Sequence, residues 1–219
     1  MNVIITGATG MVGEGVLLEC LQDPGVQQVL VVTRKPTGRQ HPKLREVLLQ
    51  DFAHPEPIAA ELTGYDACYF CLGVSSVGMK EPEYTRLTYD LTLGFARVLA
   101  RQSPQLTFCY VSGAGTDSTE KGRQMWARVK GRTENELLRL PFRAAYMFRP
   151  GFMKATPGQR NVLPLYKYIA WLYPLARRLT PGFVSTMAEV GQAMLRVTRH
   201  GYEKRVLEVK DIVALARRY

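Results

Sequence analysis

The stretch Val3-Ile4-Ile5-Thr6-Gly7-Ala8-Thr9-Gly10-Met11-Val12-Gly13 decides the fold of this chain. An apolar run typical of a strand leads into glycines at positions 7, 10 and 13, and residues 14–21 then follow a helix-compatible order. This order predicts a strand, a tight turn and a helix start that holds a phosphate. Gly7 permits the turn, Gly10 lets backbone N–H groups approach a pyrophosphate, and Gly13 lets the helix lie close to the strand. We therefore predict a nucleotide-binding turn rather than a merely structural one.

Apolar segments alternate with helical patterns through the rest of the chain. Further strands are predicted at residues 28–33, 46–50, 67–72, 108–112 and 144–148, with helices at 82–102 and 122–140. This alternation predicts an α/β fold, a doubly wound, Rossmann-like parallel sheet with helices on both faces.

The chain is expected to form a single domain, 1–219, with its core in residues 1–151. Residues 152–219 are predicted to be a small, mostly helical cover segment with a helix at 186–197, a strand at 205–209 and a helix at 211–217. Ser185 or Thr186 is the predicted N-cap of the helix at 186–197. The apolar, aromatic residues 162–176 are too short for a membrane span. They are interpreted as a cover over the cleft or a subunit contact, with an interfacial membrane helix as the minor alternative.

The residues after the predicted strands suggest the cofactor. Arg34 and Lys35 follow the second strand, where sites for NAD carry an acidic residue that binds the ribose 2′-hydroxyl. Two cations there would instead neutralise a 2′-phosphate, so the sequence favours NADP over NAD. Alternatively, both are ordinary loop cations beside Pro36.

Two other strand ends add candidate cofactor contacts. Asp51 and Phe52 follow the third strand, where Asp51 reaches an adenine amino group or else caps a local turn. Leu72 and Gly73 follow the fourth strand, and Gly73 permits close passage of the backbone by a cofactor.

Ser112 ends the fifth predicted strand, in Ser112-Gly113-Ala114-Gly115. Its hydroxyl is suited to bind a substrate carbonyl, although it could simply end the strand. Trp126 and Lys130 lie in the following helix and, being four residues apart, share one face.

The charge of the chain is uneven. The net charge is +10, with 9 Lys/Arg against 12 Asp/Glu in residues 1–119 and 20 against 7 in residues 120–219. The basic C-terminal half suits an anionic ligand, a membrane surface or nucleic acid, or is simply a solvated face. Nucleic acid is not predicted, because no binding motif accompanies the charge.

The four cysteines, Cys20, Cys68, Cys71 and Cys109, lie in apolar runs and are predicted to be buried thiols. Cys68 and Cys71 form a C-x-x-C pair, but no second ligand pair completes zinc spacing, so no metal is expected. Ile4 and Ile5 run directly into the glycine turn rather than a cleavage site. We therefore expect no signal peptide and a cytoplasmic location.

These motifs together resemble the atypical short-chain dehydrogenase/reductases. Within them the chain is most similar to the Tat-interacting-protein oxidoreductase group and to bacterial proteins described as nucleoside-diphosphate-sugar epimerases. The resemblance rests on the glycine turn, Cys71-Leu72-Gly73, Leu87-Thr88-Tyr89-Asp90, Val111-Ser112, Val129-Lys130-Gly131 and Phe148-Arg149-Pro150-Gly151.

The resemblance implies roles for three residues. Ser112 would polarise the substrate oxygen, and Lys130 would bind the nicotinamide ribose. A tyrosine that exchanges the proton belongs four residues before the lysine, but Trp126 stands there. An indole cannot exchange a proton near neutral pH, so the proton would have to come from Tyr84, Tyr89, Tyr110, Lys130 or a held water. Pro150 joins the cofactor residues by the same resemblance.

Two functions follow from these observations. The first is an NADP(H)-dependent oxidoreductase, possessing an epimerase-like fold, that acts on an unknown small carbonyl or hydroxyl substrate. The second is a non-catalytic NADP(H)-binding regulatory or protein-interaction module, which Trp126 and the basic C-terminal half favour. Either would be a monomer or a homodimer.

Overall fold

The structure is a computed structural model that describes residues 1–162, 173, 178–180 and 182–217. The strands within these residues are β1 (Asn2–Thr6), β2 (Gln28–Thr33), β3 (Leu44–Leu48), β4 (Ala67–Phe70), β5 (Thr107–Val111), β6 (Ala144–Arg149), β7 (Phe152–Lys154), β8 (Val184–Thr186) and β9 (Val206–Glu208). The α-helices are α1 (Met11–Gln22), α2 (Glu81–Thr85), α3 (Leu91–Gln102), α4 (Met125–Arg139), α5 (Met187–His200) and α6 (Val209–Arg217). A 3-10 helix covers Glu56–Leu62, and a π-helical stretch covers Arg86–Asp90.

Seven strands form one parallel sheet in the order β3-β2-β1-β4-β5-β6-β9. The chain therefore has the predicted Rossmann-like α/β fold. The strand order reverses between β1 and β4, and ligands of open α/β sheets bind beyond the carboxyl ends of the strands at such a point. The turns after β1 and β4 thus meet at the edge where a nucleotide is expected.

Successive residues of a strand point to opposite sides of the sheet, so both faces carry apolar side chains. Helices cover both faces. Val3 and Ile5 of β1 pack into a core shared with α1, α5 and α6, whereas Ile4 packs into a core on the α3 and α4 side. The second core is rich in aromatic rings, including a stacked pair, Phe108 and Phe142, with centroids 4.9 Å apart. All three β1 side chains are fully buried, which fixes the strand that leads into the glycine turn.

Several predicted boundaries differ from those of the structure. β2 has its predicted bounds, but β3 lies two residues earlier than predicted, so Asp51 stands beyond the strand end. Residues 82–102 were expected to form one helix and instead form α2, the π-helical stretch and α3 in succession. The backbone N–H of Leu91 donates to the carbonyl of Arg86, five residues earlier. The spacing of apolar residues does not distinguish this five-residue hydrogen bond from the four-residue bond of an α-helix, because the π-helical stretch adds only one residue to a turn.

The C-terminal prediction is partly confirmed. β9 and α6 are the expected final strand and helix. Of the two predicted caps, Thr186 and not Ser185 caps α5, with its hydroxyl accepting a hydrogen bond from the N–H of Glu189. The short parallel pair of β7 and β8, which forms a separate two-stranded sheet, was not predicted, because neither strand lies in an apolar run long enough to indicate a strand. The cover predicted at 162–176 lies almost entirely outside the described residues.

All four cysteines are free thiols, as predicted. Cys20, Cys68 and Cys109 are buried, and Cys71 is half-buried. Within the described ranges, no helix has the length and apolar character needed to cross a membrane.

Candidate functional site

The glycine turn is closed by contacts that exclude a side chain. Gly7 has a φ of +70°, and a Cβ there would lie 2.7 Å from backbone atoms of Cys71 and Leu72, after β4. A Cβ on Gly13 would lie 2.2 Å from the carbonyl oxygen of Gly7. The N–H of Gly10 donates to the same carbonyl at 2.9 Å. Strand, turn and helix are therefore packed backbone to backbone, as predicted for Gly7 and Gly13.

The N-terminus of α1 is suited to bind an anion. Gly10 is the N-cap, and no side chain of the described chain caps the helix there. Thr9 and Gly10 are exposed, and Met11 and Val12 are half-buried in the first turn. Uncapped N–H groups at a helix start attract phosphate because they are unpaired donors at the positive end of the helix dipole.

A cleft of about 590 Å³ opens beside this turn. Six of the predicted cofactor residues line it: Gly7, Thr9, Arg34, Lys35, Phe52 and Leu72. The hydroxyl of Thr33 donates to the carbonyl of Lys35 at 2.7 Å, which shapes the chain after β2. Arg34 and Lys35 themselves are exposed at the cleft edge. The glycine cradle, the uncapped helix start and this cleft fit a dinucleotide.

Eight of the fourteen predicted cofactor residues do not line this cleft. Four of them, Gly10, Met11, Val12 and Gly13, form the start of α1, and Lys130 is described below; the other three are Asp51, Gly73 and Pro150. Asp51 accepts a hydrogen bond from the N–H of Ala53 at 2.9 Å and contacts His54 Nδ1 at 2.8 Å, so its carboxylate caps a local turn. Gly73 is exposed, and a Cβ there would meet no protein atom within 4 Å. Pro150 is buried, with its carbonyl accepting from the N–H of Ala114 at 2.8 Å. The local-turn interpretation of Asp51 is thus the one with observed contacts.

Ser112 lies just beyond β5, but its hydroxyl turns into the protein. The Oγ atom donates to Oε1 of Glu134 at 2.5 Å and lies 3.1 Å from the carbonyl of Phe148. Its residue is only 8% exposed. Because a hydroxyl has one proton to donate, Ser112 in this arrangement does not offer that proton to a substrate oxygen.

Glu134 belongs to a buried ionic cluster that the sequence reading missed. It is fully buried and pairs with Arg149, whose Nε lies 3.1 and 3.2 Å from its two carboxylate oxygens. Arg149 also contacts Glu208 at 3.1 Å and donates to Ser118 Oγ. The available signal was the position of Glu134 one helical turn after Lys130, together with an arginine ending a buried strand.

Lys130 lies next to Ser112. Its Nζ donates to the backbone carbonyl of Ser112 at 2.5 Å. Burial lowers the pKa of Lys130 to about 8, while the charge of Glu134 acts in the opposite direction. Trp126, one turn earlier and half-buried, lies with its ring edge 3.5 Å from where a Cβ of Gly115 would stand. The structure therefore brings Ser112, Trp126 and Lys130 to the same end of α4.

The tyrosines proposed as proton sources are poorly suited to that role. Tyr84 and Tyr110 are each 1% exposed, and burial raises the pKa of both phenols, that of Tyr110 very strongly. Tyr89 is half-buried with the guanidinium of Arg132 4.3 Å from its ring centroid. Burial thus moves the pKa of Tyr84 and Tyr110 away from neutral and that of Lys130 towards it.

Glu14, which follows the glycine turn, was also not predicted from the sequence to have a structural role. Its buried carboxylate pairs with Arg39 and accepts hydrogen bonds from the N–H groups of Arg160 at 3.0 Å and Asn161 at 2.7 Å. Burial raises the pKa of Glu14, but the bonds from Arg39 and from the backbone lower it by more. Glu14 thus joins the start of α1 to the segment after β7.

The part of the chain that the structure describes contains no group of three His, Cys, Asp or Glu side chains arranged to hold a metal.

This fold and this site define a dinucleotide-binding α/β protein. A profile of the NAD dependent epimerase/dehydratase family matches residues 3–121, more than half of the chain. The chain belongs to that family.

Curated relatives agree with this assignment. The chain is 28% identical over 144 residues to the leucinostatins biosynthesis cluster protein T of Purpureocillium lilacinum, a match covering 64% of this chain and 52% of that protein. It is 27% identical to the mitochondrial protein fmp52 of Emericella nidulans, covering 73% and 69%. It is 26% identical to the protein HTATIP2 of Rattus norvegicus, covering 72% and 67%. This chain therefore spans about half to two thirds of these relatives.

Solved structures share the fold. The Bordetella bronchiseptica enzyme WbmF, in complex with NAD+, superposes with a TM-score of 0.68 at 16% identity, covering 98% of this chain and 76% of that one. The Helicobacter pylori ADP-L-glycero-D-manno-heptose-6-epimerase superposes with a TM-score of 0.67 at 15% identity, covering 98% and 80%. With the family and HTATIP2 matches, these confirm the resemblance stated from the sequence.

One expectation is wrong. A cytoplasmic location was expected, but the fmp52 relatives of Emericella nidulans, Aspergillus clavatus and Debaryomyces hansenii are described as mitochondrial. The inference failed because a glycine turn near residue 1 carries no information about compartment.

Proposed function

We propose that this chain binds NADP(H) in the cleft beside the glycine turn. The uncapped start of α1 would receive the pyrophosphate, and Phe52 and Leu72 would border the adenosine half. Arg34 and Lys35, at the edge of the same cleft, would neutralise a 2′-phosphate. The NAD bound by the solved relatives supports a dinucleotide, and the two cations support the phosphorylated form.

We further propose an oxidoreductase that acts on a small carbonyl or hydroxyl substrate. A bound nicotinamide dinucleotide supplies hydride chemistry. The protein must then exchange one proton with the substrate oxygen, and Trp126 cannot do so. Lys130 is the proposed proton-exchanging group, positioned where the family resemblance also implies a contact with the cofactor ribose.

One observation carries this proposal: Lys130 is held against the carbonyl of Ser112 with a pKa of about 8. An amine with a pKa near the working pH is populated in both protonation states and can both accept and release a proton. Tyr84 and Tyr110 do not meet this requirement, since burial raises the pKa of each.

A second function is favoured by a separate observation. The Ser112 hydroxyl donates to Glu134, so neither Ser112 nor Trp126 occupies the role usual for a reductase. A chain that binds NADP(H) without turnover, as a regulatory or protein-interaction module, would have this arrangement.

One experiment separates the two. Purified protein is titrated with NADPH and NADH by fluorescence, and NADPH oxidation is then followed against aldehydes, ketones and quinones. Oxidation that is lost in both Lys130→Ala and Lys130→Arg supports the oxidoreductase, because arginine keeps the charge but cannot release a proton. Lys121→Ala is the matched control, since Lys121 is exposed and precedes α4. Binding without oxidation of any substrate supports the module instead.

A further inference from the structure

We propose that Glu134 is a positioning residue, which holds Ser112 and balances the charge of Lys130 just beyond the end of β5. This inference rests on the proposed function only for its consequence in turnover. The contacts from which it is argued all join residues of this chain.

The first step is geometric. Glu134 stands four residues after Lys130, so both project from one face of α4. Its Oε1 atom receives the Ser112 hydroxyl at 2.5 Å, while Lys130 Nζ donates to the Ser112 carbonyl at 2.5 Å. Ser112 is therefore held at both its side chain and its backbone by two residues of one helix turn. Movement of Glu134 would displace the residue against which Lys130 is placed.

The second step is electrostatic. Glu134 is fully buried, and its negative charge is shared between Arg149 and Lys130. Burial lowers the pKa of Lys130, and Glu134 opposes that change. Without the carboxylate, burial would act alone and Lys130 would lose its proton at a lower pH.

The other charged and titratable groups near this turn have partners of their own. Arg149 of β6 contacts Glu208 of β9 at 3.1 Å, and Glu81 of α2 pairs with Arg128 at 2.6 Å. Tyr110 of β5 is buried, and its pKa is raised by burial and by nearby negative charge, including that of Glu134. Tyr89 of the π-helical stretch contacts Arg132. Glu134 is thus the one charge that contacts Ser112 and also acts on Lys130, among the residues described.

The test measures the Lys130 amine without cofactor. Protein at a series of pH values is treated briefly with trinitrobenzenesulfonate, which reacts with unprotonated amines, and modification of Lys130 is measured by peptide mass spectrometry. In Glu134→Gln the midpoint of Lys130 modification should fall by about 1 pH unit, as expected for the loss of a nearby opposite charge. Glu136→Gln is the matched control, because Glu136 lies on the same helix but pairs with Arg139 at the surface. Its midpoint should not move.

A second variant keeps the proposal testable where Glu134→Gln alone fails to fold. Glu134→Gln leaves Arg149 buried with a weakened partner, so Glu134→Gln with Arg149→Met removes both charges of the pair together. A downward shift in this double variant, smaller than in Glu134→Gln because a nearby cation is also removed, supports the proposal. An unchanged midpoint in whichever variant folds, or an equal shift in Glu136→Gln, overturns it. A shifted midpoint in a protein with no NADPH oxidation would support the positioning role while the proposed oxidoreductase fails.

Discussion

The carbonyl oxygen of Gly7 occupies the space that a Cβ of Gly13 would need, 2.2 Å from it. Gly13→Ala should therefore push α1 away from the turn after β1. We expect a loss of about 1–3 kcal/mol in the free energy of unfolding, the usual cost of overpacking. NADPH affinity should fall as well, because the helix start moves. Denaturant unfolding and fluorescence titration measure the two effects.

Gly73→Ala is the control for this variant, since a Cβ at Gly73 meets open space. Its stability should equal that of the parent protein. A Gly13→Ala protein with parental stability and parental NADPH affinity would contradict the close packing of the turn.

Arg34→Ala should weaken the binding of NADPH much more than that of NADH. Loss of a charge-assisted hydrogen bond costs about 1.5–3 kcal/mol, or about tenfold to a hundredfold in Kd. Titration with both cofactors measures the ratio, with Arg101→Ala as the control because Arg101 is exposed and does not line the cleft. Equal losses for the two cofactors would remove the argument for a 2′-phosphate.

Trp126→Tyr should increase NADPH-dependent turnover. The phenol would restore an exchangeable proton beside Lys130, and positioned proton transfer contributes about 10²–10⁴ in rate. Steady-state NADPH oxidation is the measurement. Trp126→Phe should bring no increase, because it changes the ring without adding a proton. If both variants gain equally, ring size rather than proton transfer explains the change.

Lys130 should make stability depend on pH in the alkaline range. Its pKa is about 8 in the folded chain against an ordinary value of 10.5, so between these values the unfolded state binds more protons. Stability from this group therefore rises as the pH increases from about 8 to 10.5. The free energy of unfolding, measured across this range, should increase relative to that of Lys130→Met. A constant difference between the two proteins would contradict the lowered pKa.

Glu14→Gln should loosen the segment after β7. The carboxylate accepts hydrogen bonds from Arg160 and Asn161, and weakening them should cost about 1–3 kcal/mol. Because the pKa of Glu14 is lowered, its contribution is complete above about pH 4.5 and is lost as the pH falls further. Denaturant unfolding between pH 3 and pH 7 measures this. Glu56→Gln, at an exposed position, should show no such difference.

The fold could be predicted from the sequence because its signals are local. β2 is a run of buried apolar residues with its predicted bounds, and the Thr186 cap is set by Glu189 three residues later. The glycine turn could also be predicted, because Gly13 is required by its contact with Gly7 and Gly7 by the turn after β4. These elements are fixed by neighbours in the chain.

The site was only partly predictable because its chemistry depends on distant partners. Ser112 was selected by its place at a strand end, and Trp126 and Lys130 by their spacing on a helix, but the direction of the Ser112 hydroxyl is set by Glu134, 22 residues later. Asp51 was expected near adenine, yet its carboxylate is engaged by Ala53 and His54 once β3 ends at Leu48. The periodicity of a sequence does not show which of two nearby groups a polar side chain will hydrogen-bond.

The four free thiols lie in and beside the middle of the sheet: Cys20 on α1, Cys68 on β4, Cys109 on β5 and the half-buried Cys71 just after β4. Burial raises the pKa of each, that of Cys71 to about 12. Alkylating reagents attack the thiolate, so the native chain should resist iodoacetamide. Alkylation of Cys20, Cys68 and Cys109 then requires local opening of the sheet, so its rate, with and without nucleotide, measures how often the binding edge opens.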